Sequence, residues 1–370
     1  MSINLKKLSH QVVVITGATS GIGLVTARMA AARGAGVVLV ARTEESLRKL
    51  ANELRERGAR ADYVVADVGD PQQVRSVADF AVERFGGFDT WVNNAGVSIY
   101  GRIEDIPLRD QRKLFDTNYW GLVHGSLIAA EHLKTRGGSI INLGSALSDR
   151  AIPLQGVYCA SKHAVKGFTD AFRMELEHDG APISITLIKP SSIDTPYRQH
   201  AQNYMRSEPK NPAPVYAPAT VAEAILYAAE NPVRDLFVGS AGKALSTAAA
   251  LAPRLVDRFM ELGMFRAQKL DHPSAGPHNG LDSPSGSLLE RGGYPGHVAK
   301  ISFYTKAMIH PLIAGGLFVT GLGLAYLVKR KFSRNGPDRS AVKEKSNSPK
   351  AIRRRQQKAT QSMERFYESP

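Results

Sequence analysis

Seven short runs rich in valine, isoleucine and leucine recur between residues 11 and 238, and the segments between them are long enough to be helices. The runs are Val12–Thr16, Val37–Val40, Tyr63–Ala66, Thr90–Val92, Ser139–Leu143, Ile183–Ile188 and Leu236–Val238. Most carry their apolar residues consecutively, as strands covered on both faces do. Strand–helix alternation of this kind predicts a parallel sheet with helices on both faces, a single doubly wound α/β domain. One of the expected helices, Glu44–Arg57, begins after Thr43, which fits an N-cap.

The composition agrees with a packed domain. Of 370 residues, 43% are hydrophobic and 22% charged, which excludes a chain disordered throughout. The single cysteine, Cys159, excludes an internal disulfide framework. The net charge of +14 is concentrated at one end: residues 329–370 hold 13 Lys/Arg against 4 Asp/Glu, or +9, leaving +5 for the other 328 residues. Nucleic acid is therefore not an expected partner of the folded body. The opening MSINLKKLSH has no apolar run of signal length behind its lysines, so no cleaved signal and a body facing the cytoplasm are expected.

Beyond residue 240 the character changes. Residues 241–270 are expected to be a C-terminal helix, with Leu251, Leu255, Phe259 and Leu262 on one side and Arg254, Asp257, Arg258 and Glu261 on the other. Such a helix packs on the domain or in an oligomer contact, or lies on a membrane surface. Residues 271–300, rich in Gly, Pro, Ser and Asn, are expected to be a flexible linker. Residues 307–328 follow as a membrane segment, Leu312–Val328 being free of charge and closed by Lys329-Arg330-Lys331. A span would leave the basic tail outside, against the positive-inside tendency. Pro311 and Gly315, Gly316, Gly321 and Gly323 leave room for a kinked or re-entrant insertion, and a glycine-rich buried helix is the other reading. The tail, 329–370, reads as a disordered basic segment or a contact for anionic lipid.

The first strand runs directly into Gly17-Ala18-Thr19-Ser20-Gly21-Ile22-Gly23 and then a helical segment. Glycines permit a tight turn and close approach to a diphosphate, and the helix N-terminus presents unpaired N–H groups to it. A glycine triplet alone is weak evidence, but one between a strand and a helix is considerably better. The second strand ends in Ala41-Arg42, where an acidic residue would select NAD. Arg42 instead suits a 2′-phosphate, which favours NADP over NAD. Asp67-Val68 and Asn93-Asn94-Ala95-Gly96 leave the carboxyl ends of the third and fourth strands, where an open sheet binds its ligand. Asp67 is equally compatible with a plain loop or cap residue.

Tyr158 and Lys162 stand four apart at the start of a helical stretch and so share a face. An ammonium beside a phenol favours its ionised form, which suits a general acid/base. Ser145 follows the fifth strand and reaches the same edge of the sheet. Asn118 lies in a long helical stretch, a poor place for asparagine and hence one that invites a functional reason. Singly each residue is bland; together they are not.

Those motifs in that order resemble the short-chain dehydrogenase/reductases over about residues 8–240: Thr16-Gly17-x3-Gly21-x-Gly23, Asp67, Asn93-Asn94-Ala95-Gly96, Asn118, Ser145 and Tyr158-x3-Lys162. The resemblance implies an oxidoreductase acting on an alcohol or carbonyl with a nicotinamide cofactor. By resemblance, Tyr158 exchanges the proton and Ser145 positions the substrate oxygen. Lys162 lowers the tyrosine pKa and holds the nicotinamide ribose, and Asn118 holds a relay water. Asp67 contacts the adenine, with Val68 beside it, and Asn94, Ala95 and Gly96 support the pocket. The resemblance also assigns Thr16, Thr19, Ser20 and Ile22 to the cofactor site, together with Pro190, Ile193 and Thr195. Where the family usually has Pro-Gly, this chain reads Pro190-Ser191-Ser192-Ile193-Asp194-Thr195. Dimers or tetramers through Leu108–Lys134 and Tyr158–His178 are a further implication. No metal is expected.

Pro196–Pro218 is expected to be a mobile lid, with Ile152, Pro153, Leu154 and Gln155 on the opposite wall. Largely apolar walls suggest a lipophilic alcohol or carbonyl substrate. A cofactor-binding regulator or membrane-associated scaffold without turnover is the competing reading, against which the complete catalytic set speaks.

Overall fold

The computed structural model describes residues 3–273, 280–284, 286–310, 349–350, 352–354 and 356–358. The chain divides into two units, Met1–His310 and Pro311–Pro370. In the second unit the described residues are helical.

All seven expected runs are strands of one sheet: β1 (Val12–Thr16), β2 (Gly36–Ala41), β3 (Ala61–Val65), β4 (Thr90–Asn93), β5 (Gly138–Leu143), β6 (Ile183–Pro190) and β7 (Asp235–Val238). Every pairing is parallel, in the order β7-β6-β5-β4-β1-β2-β3. The order reverses between β1 and β4, and the crevice outside the carboxyl ends there is where an open sheet takes its ligand.

Alternate residues of each strand serve different cores, which is why the apolar runs are continuous. Val13, Ile15, Val37 and Leu39 pack with α1 (Gly21–Ala32), α2 (Glu44–Glu56) and α7 (Pro218–Glu230). Val12, Val14, Val38 and Val40 pack on the other side with α3 (Pro71–Phe85), α5 (Gly121–Arg136) and α6 (Gly156–His178). Local signals set the helix ends. In α3, the Asp70 side chain accepts from the N–H groups of Gln72 and Gln73, Pro71 opens the first turn, and Gly86 closes the helix at φ 79°.

Asn118 does not sit in a regular helix. Between α4 (Leu108–Phe115) and α5 the chain makes a π-helical turn over Asp116–Trp120. Such turns often mark functional positions.

The C-terminal part departs from expectation in four places. The single helix expected over 241–270 is two, α8 (Ser240–Leu251) and α9 (Pro253–Ala267), because Ala252 leaves helical geometry ahead of Pro253. In α9 the side turned inward is Val256 and Met260, packed on Ile152 and Cys159. Leu251, at the end of α8, and Leu255, Phe259 and Leu262, on α9, are largely exposed, and Asp257 pairs with Arg150. The lid expected over 196–218 is pinned by four short pairings. Gln202–Asn203 joins Ile99–Tyr100, Ser207–Pro209 joins Lys269–Pro273, and Val215–Tyr216 lies between Ser192–Ile193 and Val298–Ala299.

The described part of 271–300 is not a free linker. It follows the mouth of the sheet crevice as a strap, and glycines let its backbone touch the body. A Cβ on Gly280 would lie 2.2 Å from the His200 carbonyl oxygen, and one on Gly292 would lie 2.1 Å from that of Thr195. Finally, the membrane segment expected at 307–328 begins inside α10 (Phe303–Ile309), whose Ile309 is buried in the core with α7. Residues 311–328 lie outside the described residues. Among the described residues, no helix is long and apolar enough to cross a membrane.

Candidate active site

The glycine turn after β1 is shaped by contact. A Cβ on Gly17 would stand 2.9 Å from the Ala95 Cα, and one on Gly23 would stand 2.2 Å from the Gly17 carbonyl oxygen. Gly17 and Gly21 also have φ of 67° and 53°, a region that side chains disfavour. Asn94 ties this turn to the end of β4: its Nδ2 donates to the Thr16 carbonyl at 2.8 Å and to that of Gly17 at 3.2 Å. The Thr16 hydroxyl oxygen accepts from the N–H groups of Asn94 and Ala95. Thr16 and Gly23 therefore build the cleft after β1 from behind, without lining it.

A cavity of about 500 Å³ runs along the carboxyl edge of the sheet. From the glycine turn it is lined by Gly17, Thr19, Ser20, Gly21 and Ile22, and from the ends of β2 and β3 by Arg42, Asp67 and Val68. Asn94, Ala95 and Gly96 form its floor, and Pro190, Ile193 and Thr195 the side beyond β6. Ser145, Tyr158 and Lys162 reach it at the far end. Every expected cofactor residue thus lines or supports one cavity. No hydrogen bond among the described residues uses the N–H of Ile22 or Gly23 at the N-terminus of α1, which fits a diphosphate group there.

Tyr158 projects from the first turn of α6. Its hydroxyl lies near those of Ser145 and Tyr197, and both favour its ionised form. Burial acts more strongly and raises its pKa above the ordinary value. The lysine does not reverse this: Lys162 Nζ lies 5.8 Å from the Tyr158 ring and donates to the Leu143 carbonyl at 2.7 Å. Burial lowers Lys162 to about 8. The pair therefore stands as a protonated phenol beside an ammonium made unusually acidic by desolvation.

Ser145 caps the short turn Ala146–Ser148, accepting from Leu147 N–H at 3.0 Å, and this fixes its hydroxyl oxygen opposite Tyr158. The side chain of Asn118 is fully engaged inside the protein. Its side-chain amide pairs with both backbone groups of Val97, at 2.8 and 2.9 Å, and with Ser161 Oγ at 3.2 Å. With those bonds made, its side chain positions the 94–98 loop against α6.

Two contributors escaped the sequence reading. Tyr197, expected only as a lid residue, stacks edge-on against Tyr158 at 5.7 Å between ring centroids. Its hydroxyl is within reach of both the Val97 carbonyl, at 3.2 Å, and Tyr158. Gln268, fully buried after α9, accepts from Gln155 Nε2 at 2.7 Å and donates to the Pro153 carbonyl at 2.8 Å. It locks the C-terminal helices to the cavity wall. The only available signal was a polar residue at the end of an amphipathic helix. His200 lines the same cavity.

A model of the short chain dehydrogenase family matches residues 11–205. Over 324 residues the chain is 47% identical to an uncharacterized oxidoreductase, YxnA, of Bacillus subtilis (strain 168), covering 86% of this chain and 91% of that one. It is 39% identical over 194 residues to 11-beta-hydroxysteroid dehydrogenase A of Sesamum indicum, covering 52% of this chain and 55% of the relative. Among solved structures, a short chain dehydrogenase/reductase from Burkholderia phymatum in complex with NAD is similar, with TM-score 0.60, 26% identity and coverage of 69% and 96%. An alcohol dehydrogenase from Thermococcus sibiricus complexed with 5-hydroxy-NADP gives 0.54, 28%, and 61% and 95%. The chain belongs to the short-chain dehydrogenase family and is an oxidoreductase of that family.

Proposed function

We propose that this protein is an NADP-dependent oxidoreductase that interconverts a lipophilic alcohol and its carbonyl compound, with Tyr158 as the general acid/base. The observation that carries the reading is the single cavity linking Arg42 and the α1 N-terminus at one end to Ser145, Tyr158 and Lys162 at the other.

A bound nicotinamide dinucleotide supplies or accepts the hydride. The chain's own residues do the rest. The N–H groups of Ile22 and Gly23 and the positive end of α1 suit a diphosphate. Arg42 offers its planar donors to a 2′-phosphate at a strand end without a carboxylate. Asp67, 3.7 Å from Arg42, is placed beside the adenosine end. Ser145 and Tyr158 direct their hydroxyls to one point, where a substrate oxygen is held in place. In the reductive direction Tyr158 gives its proton to that oxygen, and in the oxidative direction it receives one. Lys162, held by the Leu143 carbonyl, places a positive charge beside the phenolate as it forms.

The substrate end supports a lipophilic compound, since Leu147, Ile152, Leu245, Phe259, Met260 and Met264 line it. A steroid-like alcohol is one member of that class, in keeping with the name of the sesame relative. Assembly into a dimer or tetramer accords with Trp120 before α5, Leu127 on α5 and Met174 on α6 standing exposed. Membrane association through 307–328 rests on its sequence and is tested by flotation of the full chain with vesicles.

The test is steady-state oxidation of NADPH and NADH by the full chain against a panel of lipophilic ketones and aldehydes. Turnover that prefers NADPH supports the reading. Preference for NADH overturns the role given to Arg42, and tight dinucleotide binding without turnover favours the regulator.

A further inference from the structure

The glycine-rich segment after residue 279 lies directly across the adenosine end of the cleft. Its contacts are specific and span its length. Arg42 Nη2 donates to the Gly280 carbonyl at 2.8 Å, and Gly280 and Pro284 line the cavity. Ser46 Oγ, on α2, donates to the Gly286 carbonyl at 2.5 Å. Leu288 N–H donates to the Thr19 carbonyl at 3.0 Å, and Gly21 N–H donates to that of Leu289 at 2.9 Å. Glu290 pairs with Arg28 of α1 at 2.7 Å. The far end is latched: the buried Asp194 carboxylate accepts from the N–H groups of Gly292 and Tyr294, at 3.1 and 3.0 Å. Arg198 holds the Gly292 carbonyl at 2.8 Å.

The glycines are what make this fit possible. A Cβ on Gly286 would stand 2.4 Å from Ser46 Oγ, and Gly280 and Gly292 are as tightly placed against His200 and Thr195. The strap still leaves the cavity open beneath it, with the N–H groups of Ile22 and Gly23 unused. It forms a wall of the cleft and does not fill it.

We propose that residues 280–284 and 286–294 are a clamp that closes the adenosine side of the dinucleotide cleft, latched by Asp194, so that cofactor exchange requires the strap to open. This rests on the dinucleotide reading above. The clamp makes Arg42 a shared element, held by the strap carbonyls of Gly280 and Leu281 and paired with Asp67 while it lines the cavity. It also couples the Thr195 end of the cleft, next to the latch, to the adenosine end.

The experiment is hydrogen exchange of the full-length wild-type protein with and without saturating NADPH and NADH, paired with stopped-flow dissociation of NADPH from wild type and Gly286→Ala. The amides of Leu288, Gly292 and Tyr294 should exchange at least roughly tenfold more slowly with dinucleotide bound. In Gly286→Ala, dissociation should be roughly tenfold faster, as for a lid that no longer seats. Should that variant fail to fold, Glu290→Ala, which removes only the ion pair with Arg28, takes its place in the dissociation arm. Binding with unchanged strap exchange overturns the clamp alone. Slower dissociation or tighter binding in the variant means the strap obstructs the cleft, and likewise overturns it. A wild-type protein that binds neither dinucleotide overturns the cofactor reading and the clamp together.

Discussion

Replacing Lys162 with methionine tests the electrostatics of the site without any substrate. Burial takes this ammonium from its ordinary 10.5 down to about 8. Between those values the unfolded chain keeps a proton that the folded protein has released, so wild-type stability rises with pH in that window. Below about 8 both states carry the proton, and the folded state bears the full penalty of a buried charge. Linkage with these two values puts the gain between pH 7 and pH 9 at about 1 kcal/mol. Lys162→Met has no such proton to lose, so its stability curve lacks this rise. Cys159 and Tyr158, both raised by burial, lower stability as alkaline pH ionises them in the unfolded chain, but they are common to both proteins and cancel in the difference. The absolute offset is less informative, because the variant also strands the Leu143 carbonyl at a cost of about 1–3 kcal/mol. The assay is urea unfolding at pH 7, 8 and 9, read through the buried Trp91. A difference between the two proteins that shifts by about 1 kcal/mol over this range supports the argument. A difference that stays constant refutes it, and with it the claim that Lys162 is a desolvated charge.

Other substitutions probe the cleft. Gly23→Ala places a methyl 2.2 Å from the Gly17 carbonyl oxygen, so unfolding experiments should show a loss of about 1–3 kcal/mol and titration should show dinucleotide affinity lost with it. Gly167→Ala is its control: in the interior of α6 with nothing within 4 Å of the new methyl, it should stabilise by about 0.5–1 kcal/mol. Arg42→Ala should lower the ratio of kcat/KM for NADPH over NADH by about tenfold or more. Tyr197→Phe removes a neighbouring hydroxyl that favours ionised Tyr158, so the alkaline limb of the pH–rate profile should move to higher pH.

The parts legible in the sequence are those written locally. Strands buried on both faces need apolar residues on both, and the run Val12–Thr16 coincides with β1 from end to end. The glycine turn and the four-residue step from Tyr158 to Lys162 are likewise short-range patterns. What escaped depends on contacts between distant residues. Gly286 lies against Ser46, 240 residues away, and composition alone cannot distinguish glycine used for close approach from glycine used for flexibility. The inward side of α9 is Val256 and Met260, packed on Ile152 and Cys159 about a hundred residues back, although Leu251, Leu255 and Leu262 form the more obvious stripe. Tyr197 meets Tyr158 in a 196–218 segment held by short pairings to four other segments. Asn118 announced itself by its residue type, but its side-chain bonds to the backbone of Val97 become visible only in the fold.

The central claim is that Tyr158 passes the proton to and from substrate in a cleft that binds its cofactor independently of that hydroxyl. It is tested most directly by single-turnover reduction of an accepted ketone by wild type and Tyr158→Phe, each saturated with the preferred dinucleotide and with its affinity measured alongside. The account predicts dinucleotide binding within a few-fold of wild type and a hydride-transfer rate lower by roughly 10²–10⁴-fold. A variant that transfers hydride at the wild-type rate would contradict it.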